Sequence, residues 1–312
     1  MTTTIFIDGA AGTTGLEILD RLSDRREFTI LTLDEARRKD EAARREALNE
    51  ADIAILCLPD EAAVEAVALI DPASATRVID ASSAHRIDPA WTYGFPELVG
   101  RHRVAQARRV SNPGCYPTGF LALIAPLVRE GLLSADWPYT VNAISGYSGG
   151  GKALIERFER DPGLAFRAYA LDLAHKHRAE MKLHAGLEHG VIFAPSVVRA
   201  YRGMVVEVPL HLDAIKGKPT AERLRAALQE FYAETPVITV CNDRDLPELL
   251  LHAEPPPTDG MQLHVRSNSG GYHARLIAVL DNLGKGASGA AIQSLNLMCG
   301  LAETAGLRLP TN

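Results

Sequence analysis

The chain has 312 residues, of which 46% are apolar and 23% are charged, and these fractions are typical of a globular protein with a large core. A chain of this length favours two domains over one. Its net charge of -6 argues against nucleic acid or an anionic membrane as a partner.

The four cysteines are widely separated and form no metal-ligand pairs, so we expect free thiols and no bound metal. Such cysteine usage suits a reducing cytoplasm. The first residues lack the positive charge of a secretory signal, and no apolar run is long enough to span a bilayer. The sequence therefore predicts a cytoplasmic protein without a membrane partner.

The chain opens with a short apolar strand at residues 5–7, a glycine-rich turn, and a helix predicted from residue 16 to about 22. The glycines follow a G-x-x-G-x-x-G spacing, which allows a tight turn and lets a pyrophosphate approach the backbone. This spacing differs from the standard G-x-G-x-x-G, and a plain glycine turn in a nucleotide-free domain is the alternative. We expect dinucleotide binding through Gly9, Gly12, Thr13, Thr14 and Gly15.

Strands and helices then alternate. Further strands are predicted at residues 28–33, 52–59, 77–80 and 109–111, with a charged segment at 34–49 and an alanine-rich helix at 60–70. This order predicts a doubly wound parallel sheet, which binds ligands at the carboxyl ends of its strands. Ser82 follows one of those ends and is predicted to contact a cofactor.

Residues 111–119, Ser-Asn-Pro-Gly-Cys-Tyr-Pro-Thr-Gly, lead into an apolar run at 120–128 that is typical of a buried helix. Pro117 suits the first turn of that helix, where its missing N–H costs nothing. Cys115 is then expected just before or at the helix N-terminus, where unpaired N–H groups and the macrodipole lower a thiol pKa and can hold an oxyanion. The alternative is that Cys115 is a small buried apolar residue.

Residues 140–145 are predicted to form a strand that enters the glycine-rich segment 146–151, which Lys152 follows. These glycines can shape an anion-binding loop, or they form a mobile connector with Lys152 as a solvated charge.

A histidine cluster, His-Lys-His-Arg-Ala-Glu-Met-Lys, occupies residues 175–182. On a helix, His177 and Glu180 share a face, whereas His175 and His177 point to different faces. A histidine beside a cysteine is the arrangement that general-base activation requires. The alternative is a surface histidine in a charged helix.

From residue 191 the chain becomes rich in strands, predicted at 191–193, 205–212, 237–241, 262–266 and 274–280, with helices at about 222–232 and 290–305. This order predicts a mostly antiparallel sheet covered on one face. The fold class is therefore α/β, with a Rossmann-type doubly wound parallel sheet followed by an α+β domain.

Five segments together resemble the N-acetyl-gamma-glutamyl-phosphate reductase family, and the resemblance covers nearly the whole chain. They are residues 9–15, 111–118, 145–151 and 175–181, and the pair 281–283 with 285–287. The cysteine segment is the most specific of them. The chain looks like the shorter of the two length types of this family, whose superfamily includes aspartate-semialdehyde dehydrogenase and glyceraldehyde-3-phosphate dehydrogenase.

The resemblance implies an NADP-binding domain at residues 1–114, joined by a C-terminal helix at about 286–312, and a catalytic and oligomerisation domain at 115–285. It also implies a homodimer or homotetramer. The reaction implied is the NADPH-dependent reduction of an acyl phosphate to an aldehyde plus phosphate, in arginine biosynthesis. Cys115 would form the thioester and His177 would act as the general acid or base.

In this family a proline often stands between the second histidine of the cluster and the glutamate, and here Ala179 replaces it. Either His175 or His177 therefore faces the thiol, and we favour His177. We also expect a cofactor contact at Asn282, and substrate contacts at Asn112, Ser145, Gly146, Lys152, His175 and Glu180.

The local signals for the choice of cofactor disagree. Asp34 lies about twenty residues after the glycine turn, where an acid bonds the ribose 2′-hydroxyl of NAD. Arg37 and Arg38 follow, and they either bind the 2′-phosphate of NADP or form a solvated charge run. The resemblance favours NADP.

Two other functions stay open at this point. A related acyl-phosphate reductase, such as an aspartate-semialdehyde dehydrogenase, would keep the mechanism and change the substrate. A nucleotide-binding redox sensor would need a resolving cysteine near Cys115, and the sequence offers no neighbouring cysteine.

Overall fold

The computed structural model describes residues 2–242 and 246–309. Contacts divide these residues into two compact units, the first formed by 2–113 with 287–307 and the second by 114–242, 246–286 and 308–309. Residues 1 and 310–312, which the predicted domain ranges include, lie outside the described residues.

The strands are β1 Thr3–Asp8, β2 Phe28–Leu31, β3 Ile53–Leu56, β4 Arg77–Asp80, β5 Thr92–Tyr93, β6 Arg109–Ser111, β7 Thr140–Gly146, β8 Phe166–Ala168, β9 Ile192–Val198, β10 Met204–His211, β11 Ile238–Val240, β12 Met261–Ser267 and β13 His273–Leu280. The helices are α1 Thr13–Leu22, α2 Glu41–Glu50, α3 Asp60–Ala68, α4 Pro96–Val99, α5 Arg101–Gln106, α6 Cys115–Arg129, α7 Gly151–Arg160, α8 His177–Ala185, α9 Ala221–Phe231 and α10 Gly289–Met298. A 3-10 helix spans Tyr147–Gly150 and a π-helix spans Gly284–Ser288.

The first unit is built on a parallel sheet with the strand order β2-β1-β3-β4-β6-β5. Alternation along β1 sends Ile5 and Ile7 into a core with Ile18 of α1 and Leu295 of α10, on one face of the sheet. Phe6 joins a second core, shared with α2 and α3, on the other face. The predicted doubly wound parallel sheet is confirmed.

Three element boundaries in this unit differ from prediction. Helix α1 begins at Thr13 rather than residue 16, because Gly12 is already its cap. Helices α4 and α5 lie between the strands predicted at 77–80 and 109–111, where the sequence predicts no helix. The last helix ends at Met298 rather than near residue 305, and Gly300, with φ +68°, turns the chain just after it.

The second unit is built on a mixed sheet with the strand order β11-β12-β13-β10-β7-β9-β8. Most neighbouring pairs are antiparallel, as predicted, while β7–β9 and β11–β12 are parallel. Helices α6 and α9 pack against this sheet, and α6 also packs against α8.

Helix α6 is the central helix of the second unit, and its residues from Tyr116 to Leu127 are all buried. A Cβ on Gly119 would lie 2.8 Å from Cγ2 of Val206, so the glycine lets the helix approach the sheet closely. Pro126 lies inside the helix and cannot donate to the carbonyl of Ala122. The Tyr232 hydroxyl donates to that carbonyl at 2.9 Å, which satisfies it in the buried interior.

Two differences in the second unit affect its candidate site. The glycine-rich segment after β7 does not form an open loop, because Tyr147–Gly150 is a 3-10 helix and α7 follows at once. Helix α8 begins at His177, so His175 precedes the helix, and the expectation that both histidines lie on one helix is wrong. No helix formed by the described residues is long and apolar enough to cross a membrane.

Candidate active site

Two of the three glycines in the first turn are required by the fold itself. Gly9 has φ +86°, and a Cβ there would lie 2.3 Å from the carbonyl oxygen of Cys57. A Cβ on Gly15 would lie 2.4 Å from the carbonyl oxygen of Gly9. The chain can pass from β1 into α1 at this distance from β3 only without side chains at these positions.

Gly12 differs, because a Cβ there would meet the Gly9 oxygen at 3.4 Å, an ordinary contact distance. Gly12 caps α1 but has no side chain to accept hydrogen bonds from the first turn. The amides of Thr13, Thr14 and Gly15 therefore begin the helix without an intrahelical or capping side-chain acceptor. Such a bare helix N-terminus fits a pyrophosphate.

The charged segment after β2 forms a turn, in which the Asp34 carboxylate accepts the amide of Arg37 at 2.9 Å. Arg37 pairs with Glu46 at 3.4 Å and Arg38 with Glu35 at 2.9 Å, and all four side chains are exposed. Exposed pairs of this kind are worth little, so an incoming phosphate can replace the carboxylates at small cost.

Sequence reasoning missed a buried ion pair at the end of β1. Arg44 of α2 donates to the carboxylate of Asp8 at 2.8 Å, and Asp8 is only 4% exposed. Burial raises the pKa of Asp8, and the bonds from Arg44 act in the opposite direction. The sequence does not distinguish Arg44 from its charged neighbours, because the pair depends on how α2 crosses the sheet.

Ser82 points into its own turn. Its hydroxyl donates to Asp80 at 2.7 Å and accepts the amide of Ala84 at 3.1 Å. Nδ1 of His85 lies 2.6 Å from the same Asp80 carboxylate, and its ring stacks on Trp91 at 4.1 Å. The hydroxyl of Ser82 thus helps to hold the loop after β4.

Asn112 lies just beyond β6 and is buried. Its amide nitrogen donates to the carbonyl of Ala287 at 3.0 Å, and its carbonyl accepts Nε of Arg86 at 2.9 Å. Its side-chain oxygen is buried and has no hydrogen-bond partner among the described residues. An acceptor in this state is available to a ligand N–H or O–H.

In the second unit, Cys115 is the first residue of α6, as the sequence predicts. The amide of the preceding residue, Gly114, donates to the Glu180 carboxylate at 2.8 Å, and Glu180 is only 2% exposed. The amide and the hydroxyl of Thr118 both donate to the Gly114 carbonyl at 2.9 Å. The turn that carries the thiol is therefore held at both polar groups of the Gly114 backbone.

The two histidines lie together in an aromatic pocket beside this turn. Their ring centres are 4.6 Å apart, and the ring of Tyr116 is 5.9 Å from His177 and 6.2 Å from His175. Phe193 and Tyr169 also pack against His175, at 5.1 and 5.6 Å.

The tautomer of His175 follows from its hydrogen bond. The backbone amide of His177 lies 3.1 Å from Nδ1 of His175, and a backbone amide can only donate. Nδ1 of His175 is therefore an acceptor, and in the neutral ring the proton is on Nε2.

The tyrosines of the pocket stay protonated. The Tyr169 hydroxyl lies 3.3 Å from that of Tyr116, which lies 3.2 Å from the carbonyl of Ser196. Burial is the main cause that raises the pKa of Tyr169 to about 12, and it raises that of Tyr116 well above its ordinary value. Neither phenol acts as a base at neutral pH.

The remaining predicted residues of this unit lie at the end of β7, at the start of α7 and just after β13, and most of them are buried. Asn282 donates to the Ser148 hydroxyl at 2.9 Å, and its buried side-chain oxygen has no partner among the described residues. Ser145 is buried, and a Cβ on Gly146 would lie 2.8 Å from the backbone of Arg202. Lys152 is exposed at the start of α7.

A search of the described residues finds no group of three or more histidine, cysteine, aspartate or glutamate side chains placed to hold a metal ion. Their cysteines form no disulfides.

Comparison with known families identifies the class. The model for "Semialdehyde dehydrogenase, NAD binding domain" matches residues 4–107, and that for "Semialdehyde dehydrogenase, dimerisation domain" matches residues 115–282. The first match lies within the first unit and the second within the second unit, so the chain belongs to the semialdehyde dehydrogenase class.

Curated relatives narrow the class further. Proteins named N-acetyl-gamma-glutamyl-phosphate reductase from Brucella ovis and Brucella melitensis are each 47% identical over 306 residues, which cover 95% of this chain and 98% of theirs. The chain therefore belongs to the N-acetyl-gamma-glutamyl-phosphate reductase family. The resemblance inferred from the motifs is confirmed.

Solved structures share the fold at low sequence identity. An aspartate semialdehyde dehydrogenase from Francisella tularensis aligns with a TM-score of 0.70 at 15% identity, over 96% of this chain and 100% of that one. An aspartate semialdehyde dehydrogenase II from Vibrio cholerae aligns with a TM-score of 0.69 at 16% identity, over 96% and 99%.

The glycine turn gives a matched pair of variants. We expect Gly12→Ala to keep the melting temperature of the wild type and to lower dinucleotide affinity at least about tenfold, because the new methyl occupies space in front of the bare helix N-terminus. We expect Gly15→Ala to lower the melting temperature by several degrees, since its methyl has no room. Calorimetric titration and thermal melts measure both effects, and wild-type affinity in Gly12→Ala would show that the dinucleotide does not approach this turn.

Proposed function

We propose that this protein reduces N-acetyl-gamma-glutamyl phosphate with NADPH to N-acetylglutamate semialdehyde and phosphate, a step of arginine biosynthesis in the cytoplasm. The observation that carries the proposal is Cys115 at the first position of a buried helix, with its turn held by Glu180, in a chain of this family. The functional boundary between cofactor domain and catalytic domain falls at residue 114.

Cys115 is the nucleophile. The positive end of the α6 macrodipole favours its thiolate, which attacks the acyl carbon and forms a C–S bond. Gly114 donates to Glu180, Thr118 donates to Gly114, and Pro117 has no N–H, so the first-turn amides of Cys115 and Tyr116 would hold the oxyanion. Collapse of this intermediate breaks the bond to the phosphate oxygen and leaves a thioester.

His177 is the general acid or base. It lies in the first turn of α8 beside Tyr116, and it protonates the oxygen of the reduced intermediate or takes its proton when the aldehyde leaves. Nδ1 of His175 accepts the His177 amide, which leaves Nε2 of that ring to bind a substrate oxygen. Glu180 acts through the backbone of Gly114, so we assign it to positioning rather than to the substrate contact that the sequence predicts.

NADPH supplies the hydride for the thioester when it is bound. Gly12, Thr13, Thr14 and Gly15 would hold its pyrophosphate, with Gly9 shaping the turn. Arg37 and Arg38 would bind the 2′-phosphate, since their present partners are exposed carboxylates that exchange easily. Asn282 offers its unpartnered amide oxygen to a ligand amide, and the turn at Ser82 lies at a carboxyl end of the parallel sheet.

The substrate contacts proposed besides His175 are two buried polar residues, the glycine turn and an exposed cation. The buried oxygen of Asn112 and the hydroxyl of Ser145 are suited to the polar groups of the substrate. Gly146 shapes the backbone beside Ser145, and exposed Lys152 attracts the phosphate.

We infer that the protein is a homodimer or homotetramer that assembles through the uncovered face of the mixed sheet. Adjacent strands of this face expose large apolar side chains, with Ile144, Ile192 and Phe166 41%, 49% and 55% exposed. Sedimentation of the wild type should give two or four copies, and Ile144→Lys should lower that number. A monomeric wild type at micromolar concentration contradicts the assembly.

The reaction is tested in reverse, by NADP reduction in the presence of phosphate. N-acetylglutamate semialdehyde should be oxidised far faster than aspartate semialdehyde, and Cys115→Ser should lose at least about 10³-fold in rate while it still binds NADP. Cys57→Ser is the control, because burial raises the pKa of Cys57 to about 12 and leaves it no thiolate at neutral pH. Preference for aspartate semialdehyde would show that the protein acts as an aspartate-semialdehyde dehydrogenase. A Cys115→Ser rate near that of the wild type would show that the reaction does not pass through a Cys115 thioester.

The role of His177 is tested against that of its neighbour. His177→Asn should slow the reaction by roughly 10²–10⁴-fold and remove a limb of the pH–rate profile that starts from the ordinary histidine value of about 6.5. His175→Asn should cost less, because its ring is a hydrogen-bonding partner and not the proton carrier. A larger loss of rate in His175→Asn than in His177→Asn would make His175 the general acid or base. If both variants lose little activity, another group carries the proton.

A further inference from the structure

The chain after β13 makes an unusually wide turn. The amide of Gly286 donates to the carbonyl of Asp281 at 3.0 Å, which is the five-residue spacing of a π-helix, and Gly284–Ser288 is assigned to that class. π-Turns are rare and often occur at functional sites. The sequence predicts no helix or strand at residues 281–285, between a predicted strand and the predicted C-terminal helix.

This wide turn brings a backbone against the nucleophile. A Cβ on Gly286 would lie 3.0 Å from Cβ of Cys115 and 3.4 Å from its Cα. Ordinary contact between such carbons begins at 3.4 Å, so a methyl group at this position would force Cys115 or the turn to shift by a few tenths of an ångström. Gly286 therefore packs closely on Cys115, and a side chain there would also lie 3.0 Å from the carbonyl oxygen of Asp281.

The turn cannot move away from Cys115, because it is fixed on its other side. A Cβ on Gly284 would lie 1.8 Å from the carbonyl oxygen of Thr258, so the backbones already touch there. The buried carboxylate of Asp281 accepts Nη1 of Arg202 at 3.0 Å, the amide of Leu283 at 2.9 Å and that of Thr258 at 3.3 Å. The same residue accepts the Gly286 amide with its carbonyl, so the bonds of Asp281 fix the turn.

We propose that the turn from Asp281 to Gly286 is a rigid wall that holds the Cys115 side chain in its attacking orientation, with Gly286 and Arg202 as positioning residues. Cys115 begins a helix that is buried from Tyr116 to Leu127, so the backbone of its first turn is held in place by packing. The space left to the thiol is therefore set by the wall. The catalytic part of this inference rests on the proposed function, while the contact itself does not.

The first test adds one methyl group to the wall. Gly286→Ala should slow alkylation of Cys115 by iodoacetamide at least about fivefold, and it should lower kcat about tenfold or more while KM changes little, because small misplacements of a reacting atom are costly. Mass spectrometry of the Cys115 peptide separates this thiol from the other three. Gly163→Ala, an exposed position in the same unit, is the matched control and should behave as wild type.

The second test loosens the wall without adding atoms near the thiol. Arg202→Met removes the ion pair to Asp281, so alkylation of Cys115 should be as fast as in wild type or faster, while kcat falls at least about fivefold. Arg199→Met is its control, because Arg199 donates to the carbonyls of Leu164 and Asp161 and not to Asp281.

The outcomes separate the two proposals. Wild-type alkylation and kcat in a folded Gly286→Ala overturn the wall, and if that variant does not fold, unchanged kcat in Arg202→Met overturns it. If the wild type shows no phosphate-dependent oxidation at all, the proposed function fails. Slowed alkylation in Gly286→Ala, with unslowed alkylation in Arg202→Met, then still supports the contact.

Discussion

The chemistry of the second unit depends on where helix α6 begins. Its residues from Tyr116 onward are buried through most of the helix, and Gly119 lets it approach the sheet, so the helix can neither slide nor rotate. Cys115 is the one residue of this first turn that is not fully buried. A fixed helix of this kind turns its own N-terminus into a fixed electrostatic environment for the thiol.

The polar groups around this helix are satisfied in ways that preserve that environment. Glu180 accepts a hydrogen bond from the Gly114 amide. The Tyr232 hydroxyl donates to the carbonyl of Ala122, which has no helical donor because Pro126 lacks an N–H. The phenols beside the histidines remain protonated because they are buried.

In the first unit, the three glycines of the turn between β1 and α1 have different structural roles. Gly9 and Gly15 are glycines because the backbones of neighbouring segments touch them, whereas Gly12 has room for a side chain within the protein. What Gly12 leaves uncovered is the N-terminus of α1, which is the kind of site that binds a pyrophosphate. Two glycines thus serve the fold, and the third leaves the N-terminus of α1 uncovered.

The sequence by itself determined the features that short-range chemistry controls. Glycine spacing placed the turn between β1 and α1, a proline in the first turn marked the start of α6 at Cys115, and β4 has the predicted bounds Arg77–Asp80. Segments of this kind are readable because propensity and turn geometry act over a few residues. The family motifs are likewise local strings of residues.

Only the tertiary structure decided which distant groups meet. Glu180 lies 66 residues after Gly114, and Arg44 lies 36 residues after Asp8, so no local pattern pairs them. His175 precedes helix α8 and accepts the amide of His177, although the sequence places both histidines on one helix. Gly286 lies against Cys115 because the chain makes a π-turn there, which the sequence does not predict. Such contacts are set by packing across the whole unit, and packing is a property of the folded chain rather than of any segment.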